Sequence, residues 1–121
     1  MLIRVFTADD NAQTTLAAEM EVDASALIEM AQPRAAQARE MGQEWTAGAI
    51  PFFTQELMNA LQTGASSDEI ETQALNAAMA AWLYDAIYDG VSEEVFAGCD
   101  LIFTISPGGV VQYDRSPSTP A

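Results

Sequence analysis

Asp85 and Asp89 stand four residues apart, a spacing that puts both carboxylates on one face of a helix. Glu93 and Glu94 follow just beyond Gly90, and Tyr84 and Tyr88 stand beside them. No basic residue lies between Arg39 and Arg115, so the local sequence offers these acids no counterion. Carboxylates gathered in this way can accept Arg or Lys from another protein, with tyrosines supplying contact area. They can also supply oxygen ligands to Ca²⁺ or Mg²⁺, but the spacing does not follow the EF-hand loop, and no metal site is assigned. The competing reading is a solvated helix end whose residues happen to be acidic.

Asp68, Glu69 and Glu71 form a second acidic group where the same helix should begin, and there the macrodipole welcomes negative charge. Glu71 and Asp89 are 18 residues apart and project at nearly the same angle, so Asp68 and Glu71 can extend an acidic stripe along the helix. Asp9, Asp10, Glu19 and Glu21 make a secondary acidic patch near the N-terminus. A wet strand face accounts for most of it.

Catalytic chemistry finds little to stand on. There is no histidine for general-base work at neutral pH and no lysine for a Schiff base. Cys99 has no nearby cation to lower its pKa and reads as a small buried residue. Trp45 and Trp82 fall on helical stripes and read as core. No catalytic residue and no cofactor is assigned.

The elements that would position these groups follow from hydrophobic period and capping signals. Leu2 to Thr7 is a β-branched and aromatic run, Ala8 to Asn11 is turn chemistry, and Leu16, Ala18, Met20 and Val22 alternate with Ala17, Glu19 and Glu21. A hairpin results, with Leu16 expected on the buried side. Asp23 can cap a helix carrying Leu27, Ile28 and Ala31, which Pro33 should interrupt. Ala35, Ala38, Met41 and Trp45 continue at helical spacing, Thr46 to Ile50 reads as a small-residue break, and Pro51 is expected at the first position of a new helix ending at Gly64.

The clearest element runs from a capping box at Ser66 and Glu69 to Gly90. Leu75, Met79, Trp82, Leu83 and Ala86 should face the core. A second face of Ile70, Ala74, Ala77, Ala81, Tyr84 and Tyr88 would let another backbone approach. Asp85 and Asp89 then sit in the last turns, where the macrodipole disfavours carboxylates by roughly 0.3–1 kcal/mol each. Ser92 can cap a short turn through Phe96. Leu101 to Ile105, the turn Ser106-Pro107-Gly108-Gly109 and Val110 to Tyr113 make a second hairpin.

The order ββ-ααα-ββ predicts a single compact α+β domain over 1–115, a four-stranded antiparallel sheet from two hairpins with three helices on one face. Residues 116–121 are expected to be a disordered tail. The N-terminal residues read as a first strand, not as a secretory leader, and no apolar run approaches a membrane span. The lone cysteine suits a reducing compartment, so the expected location is cytoplasmic.

Charge sets the choice of partner. Eighteen acids against four arginines give a formal net charge of −14 on 121 residues. Such a surface repels nucleic acid and anionic membrane, and it favours a basic protein surface. In charge and size, though in no motif, the chain resembles small acidic inhibitors that mimic nucleic acid. Phage-encoded antagonists of restriction or of RNA-guided (CRISPR) defence and nuclease-neutralising immunity proteins are of this kind. The resemblance implies a non-enzymatic inhibitor, acting in the host cytoplasm if phage-encoded, that blocks a nucleic-acid-binding protein or nuclease complex. The alternative is a self-associating or adaptor module, a homodimer through the Ala/Tyr face, with charge serving solubility or salt adaptation.

Overall fold

In the computed structural model, which describes residues 1–117, β1 (Leu2–Ala8) and β2 (Thr14–Glu21) form the expected N-terminal hairpin. The turn is held by Asp9, whose Oδ1 accepts from the Asn11 and Gln13 N–H groups at 2.9 Å each. β3 (Cys99–Ile105) and β4 (Val111–Pro117) form the second hairpin.

The four strands lie in the order β2-β1-β3-β4, and β1 and β3 run parallel. The sheet is therefore mixed, not antiparallel throughout as expected. β1 and β3 carry the apolar positions of the sheet: Ile3, Val5, Leu101 and Phe103 are all buried. Each therefore needs a neighbour on both sides, which leaves the more polar β2 and β4 at the edges. The chain leaves β2, crosses the helical layer and re-enters beside β1 in the same direction.

One irregularity decides which side chains face the helices. The β1–β2 register shifts between Val5 and Phe6: Val5 pairs with Ala18 but Phe6 pairs with Leu16, leaving Ala17 as the extra residue of a bulge. Ala18 and Met20 stay on the covered side, half-buried, while Leu16 turns to the open face and is 47% exposed. The expectation that strict alternation buries Leu16 is thus corrected.

The helical layer contains more pieces than the three expected. α1 (Ala24–Ala31) is capped by Asp23, whose Oδ1 accepts from the Ser25 N–H at 3.0 Å. A 3₁₀ turn at Gln32–Arg34 contains Pro33, and α2 (Ala35–Met41) follows. α3 (Gln43–Gln62) begins immediately after Gly42, which adopts φ 99°. The break lies at Gly42, not at Thr46 to Ile50, and Pro51 is inside α3 instead of starting a helix. An unbroken stripe explains why the helix survives its proline: Thr46, Ile50, Thr54, Leu57 and Ala60 are all buried. Thr46 also fastens the junction, donating from Oγ1 to the Gly42 carbonyl at 2.9 Å and the Ala38 carbonyl at 3.1 Å.

α4 (Ser67–Tyr88) is capped as expected, with Ser66 Oγ accepting from the Glu69 N–H at 3.2 Å. Every residue from Ala77 to Leu83 is buried, so the helix is covered all round at its middle. Ala74, Ala77 and Ala81 are fully buried, while Leu75 and Ala86 on the expected core face are only half-buried. α3 packs along α4, and α1 and α2 also touch it. α5 (Glu93–Ala97) is capped by Ser92, and its buried Phe96 ring lies 5.0 Å from that of Trp82. At the other end of the sheet, Ser116 and Pro117 pair with Asp100 and Cys99 and so belong to β4, not to a disordered tail. The rest of that expected tail, 118–121, lies outside the described residues.

Candidate acidic interface

Asp85 and Asp89 share a helix face in sequence but not an environment. Asp85 is 2% exposed. Its Oδ2 accepts from the Tyr113 hydroxyl at 2.7 Å and forms an ion pair with Arg115, whose Nε lies 2.9 Å away; both partners are on β4. The expectation of a carboxylate without a counterion is corrected here: the cation comes from 30 positions further along the chain. Burial pushes the Asp85 carboxyl above the usual carboxylate range, incompletely offset by Tyr113 and Arg115, and the nearby Asp89 charge adds to the rise. Burial and the same carboxylate raise the Tyr113 hydroxyl well above the ordinary tyrosine value, so it stays a donor.

Asp89 is the C-terminal cap of α4 and is exposed, with Gly90 turning the chain at φ 67°. Glu93 and Glu94 are exposed in the first turn of α5, where the helix polarity favours them. The fold brings α1 alongside α5, so that Glu29 joins Glu93 and Glu94 around a cleft of about 570 Å³. Gln32 Nε2 donates to Glu93 Oε1 at 3.0 Å and fixes one wall of the cleft. Glu29 is 64 residues before Glu93, and only the docking of α1 on α5 unites them.

Other expected members are scattered. Tyr84 and Tyr88 are half-buried, their rings 5.5 Å apart, and the Tyr84 hydroxyl accepts from Gln43 Nε2 at 3.2 Å. Asp68 and Glu71 are exposed at the opposite end of α4. Asp9 is occupied in its turn, Asp10 and Glu21 are exposed, and Glu19 Oε2 accepts from Arg4 Nε at 2.9 Å. Arg4 also meets Asp100, at 3.5 Å. Only three of the 18 carboxylates, Glu19, Asp85 and Asp100, meet an arginine in an ion pair among the described residues. The surface acids are left largely uncompensated.

A second concavity was not foreseen. Between α2, α3 and α4 lies an apolar cavity of about 540 Å³, with Trp45 and Phe52 at its wall. Trp45 is 46% exposed, correcting its expected place in the core, while Trp82 is buried as expected. A weak signal existed in the sequence: Thr46 to Ala49 are small residues between Trp45 and Phe52, and small side chains on a helix leave a hollow.

Among the described residues no helix is long and apolar enough to cross a membrane, and no group of three or more Cys, Asp or Glu side chains is placed to hold a metal ion. No family model, curated protein or solved structure matches the chain.

Proposed function

We propose that this chain is a non-enzymatic acidic protein that binds and blocks a basic partner surface, with carboxylates standing in for phosphates. The observation that carries this reading is the cleft between α1 and α5, where Glu29, Glu93 and Glu94 converge with one amide donor and no arginine among the lining residues. Exposed Asp89 lies close by in the chain. A Lys or Arg side chain entering the cleft would make charge-assisted hydrogen bonds that the protein does not make to itself. The partner class that best fits is a nucleic-acid-binding protein or nuclease complex, including those of bacterial defence against phage, whose groove is already built to accept a row of negative charges. Opposite net charges would speed the encounter at low salt.

The reading places Asp85 outside the contact. It spends its charge on Arg115 and Tyr113 and supports the interface only by holding α4 to β4. Self-association through the Ala/Tyr face of α4 is less favoured, because Ala74, Ala77 and Ala81 are covered by the chain itself and only half-buried Ile70, Tyr84 and Tyr88 keep part of their surface.

The test is binding to immobilised basic nucleases and nucleic-acid-binding proteins, competed with duplex DNA. Binding should weaken at least tenfold between roughly 50 and 500 mM salt, as expected for interactions screened by mobile ions. Glu93→Lys combined with Glu94→Lys should abolish it while circular dichroism stays native. Binding that ignores both salt and these reversals would sink the proposal.

A further inference from the structure

Four arginines serve this chain, and two are consumed internally: Arg4 by Glu19 and Asp100, and Arg115 by Asp85. Arg34 makes no ion pair among the described residues, although acids outnumber arginines by 18 to four. It is also the one charged side chain lining the apolar cavity between α2, α3 and α4. The rest of that wall includes Trp45, Phe52, Phe53, Met79 and Leu83, with Gln37 and Asn76 as polar neighbours. At about 540 Å³ the cavity falls within the roughly 300–1,000 Å³ of small-molecule sites, and its few polar groups in an apolar lining follow their usual composition.

Gly48 is an independent pointer. It lies inside α3 on the same wall, where glycine is a poor helix former. Its φ is not positive, and a Cβ built there would meet nothing within 4 Å. Neither backbone conformation nor internal packing therefore requires a glycine. A ligand lying against the α3 backbone would.

We propose that this cavity binds an apolar molecule bearing a single carboxylate, its body against Trp45, Phe52 and Phe53 and its carboxylate on Arg34. Charge complementarity selects the anionic head, since guanidinium and carboxylate pair through two parallel hydrogen bonds. A second copy of this chain is a poor occupant, because two surfaces of net charge −14 repel.

Decanoate is a suitable probe, with decan-1-ol as its uncharged counterpart, read by calorimetry and by intrinsic fluorescence. Trp45, at 46% exposure, should shift to the blue on binding, whereas Trp82, at 4%, is already shielded. Decanoate is expected to bind one to one with Kd on the order of 10 µM. Arg34→Gln, at an exposed position, should weaken decanoate about tenfold, as expected for loss of a charge-assisted pair, and change decan-1-ol less than about twofold. Gly48→Ala should raise the unfolding midpoint yet weaken decanoate at least about threefold, by filling the contact surface. Failure to saturate by roughly 1 mM would overturn the site. So would equal losses for acid and alcohol in Arg34→Gln, or unchanged decanoate affinity in Gly48→Ala. Light scattering showing that exposed Trp45 and Phe52 instead pair two copies, with no decanoate uptake, would overturn it as well.

Discussion

In the contact among Asp85, Tyr113 and Arg115, one side chain ties α4 to β4. Truncating Asp85 to Ala leaves the half-buried Tyr113 hydroxyl without its acceptor and the half-buried Arg115 guanidinium without its counterion, at a cost of roughly 2–4 kcal/mol in urea unfolding. Asp85→Asn keeps an acceptor for Tyr113 and should cost about half as much. The two differ in pH response too. Because the folded-state Asp85 carboxyl lies above its unfolded value, the folded protein holds a proton that the unfolded chain releases over that interval. Stability from this group is fully present below the ordinary carboxylate range and is lost as pH rises through the raised value. The wild-type urea midpoint should therefore rise on acidification toward that range by more than the Asp85→Asn midpoint does. Equal slopes would show that the Asp85 carboxyl holds its proton no more tightly in the folded state than in the unfolded one. The pairing is invisible in the sequence for a plain reason: Asp85 stands out as a carboxylate where a helix least favours one, but its cation arrives from the last strand. A local reading can register the anomaly without seeing the long-range contact that resolves it.

At the scale of elements, capping and period were largely readable and register was not. Asp23, Ser66 and Ser92 cap the helices they were expected to cap, because a cap needs only neighbours within three residues. The bulge at Ala17 depends on β1 as well as β2, and it turns Leu16 outward where alternation alone sends it inward. Leu16→Ala should accordingly cost less than about 1 kcal/mol, against roughly 2–5 kcal/mol for a leucine in a packed interior. A loss in the larger range would mean that Leu16 belongs to the core after all. Pro51 teaches the converse: its local preference for a helix start is overridden by a buried stripe that runs from Thr46 to Ala60. The acidic cleft illustrates both limits, since Glu93 and Glu94 stand together in the sequence and Glu29 does not stand near them. Nothing on α1 distinguishes an exposed glutamate there from any other until α5 packs beside it.

For the molecule as a whole, the uncompensated carboxylates act on folding and on binding with opposite signs, and salt separates the two. Fifteen carboxylates have no ion pair among the described residues, so the compact state gathers like charge that the unfolded chain spreads apart. Screening relieves that repulsion: the Debye length falls from about 10 Å at 0.1 M to about 3 Å at 1 M. Raising sodium chloride from roughly 20 to 500 mM should lift the unfolding midpoint by about 5 °C, the shift expected from roughly 1 kcal/mol in a chain of this size. Potassium chloride should do the same, since screening does not distinguish the two cations. Over the same range the proposed attachment to a basic surface should weaken, because there the screened interaction is attractive. A fold strengthened by salt together with an interaction weakened by it cannot arise from unfolding of the binder, which would drive both the same way. A midpoint that stays flat or falls would mean that the acids are too far apart to repel, and a surface so dilute could not present the concentrated negative charge that a phosphate mimic needs.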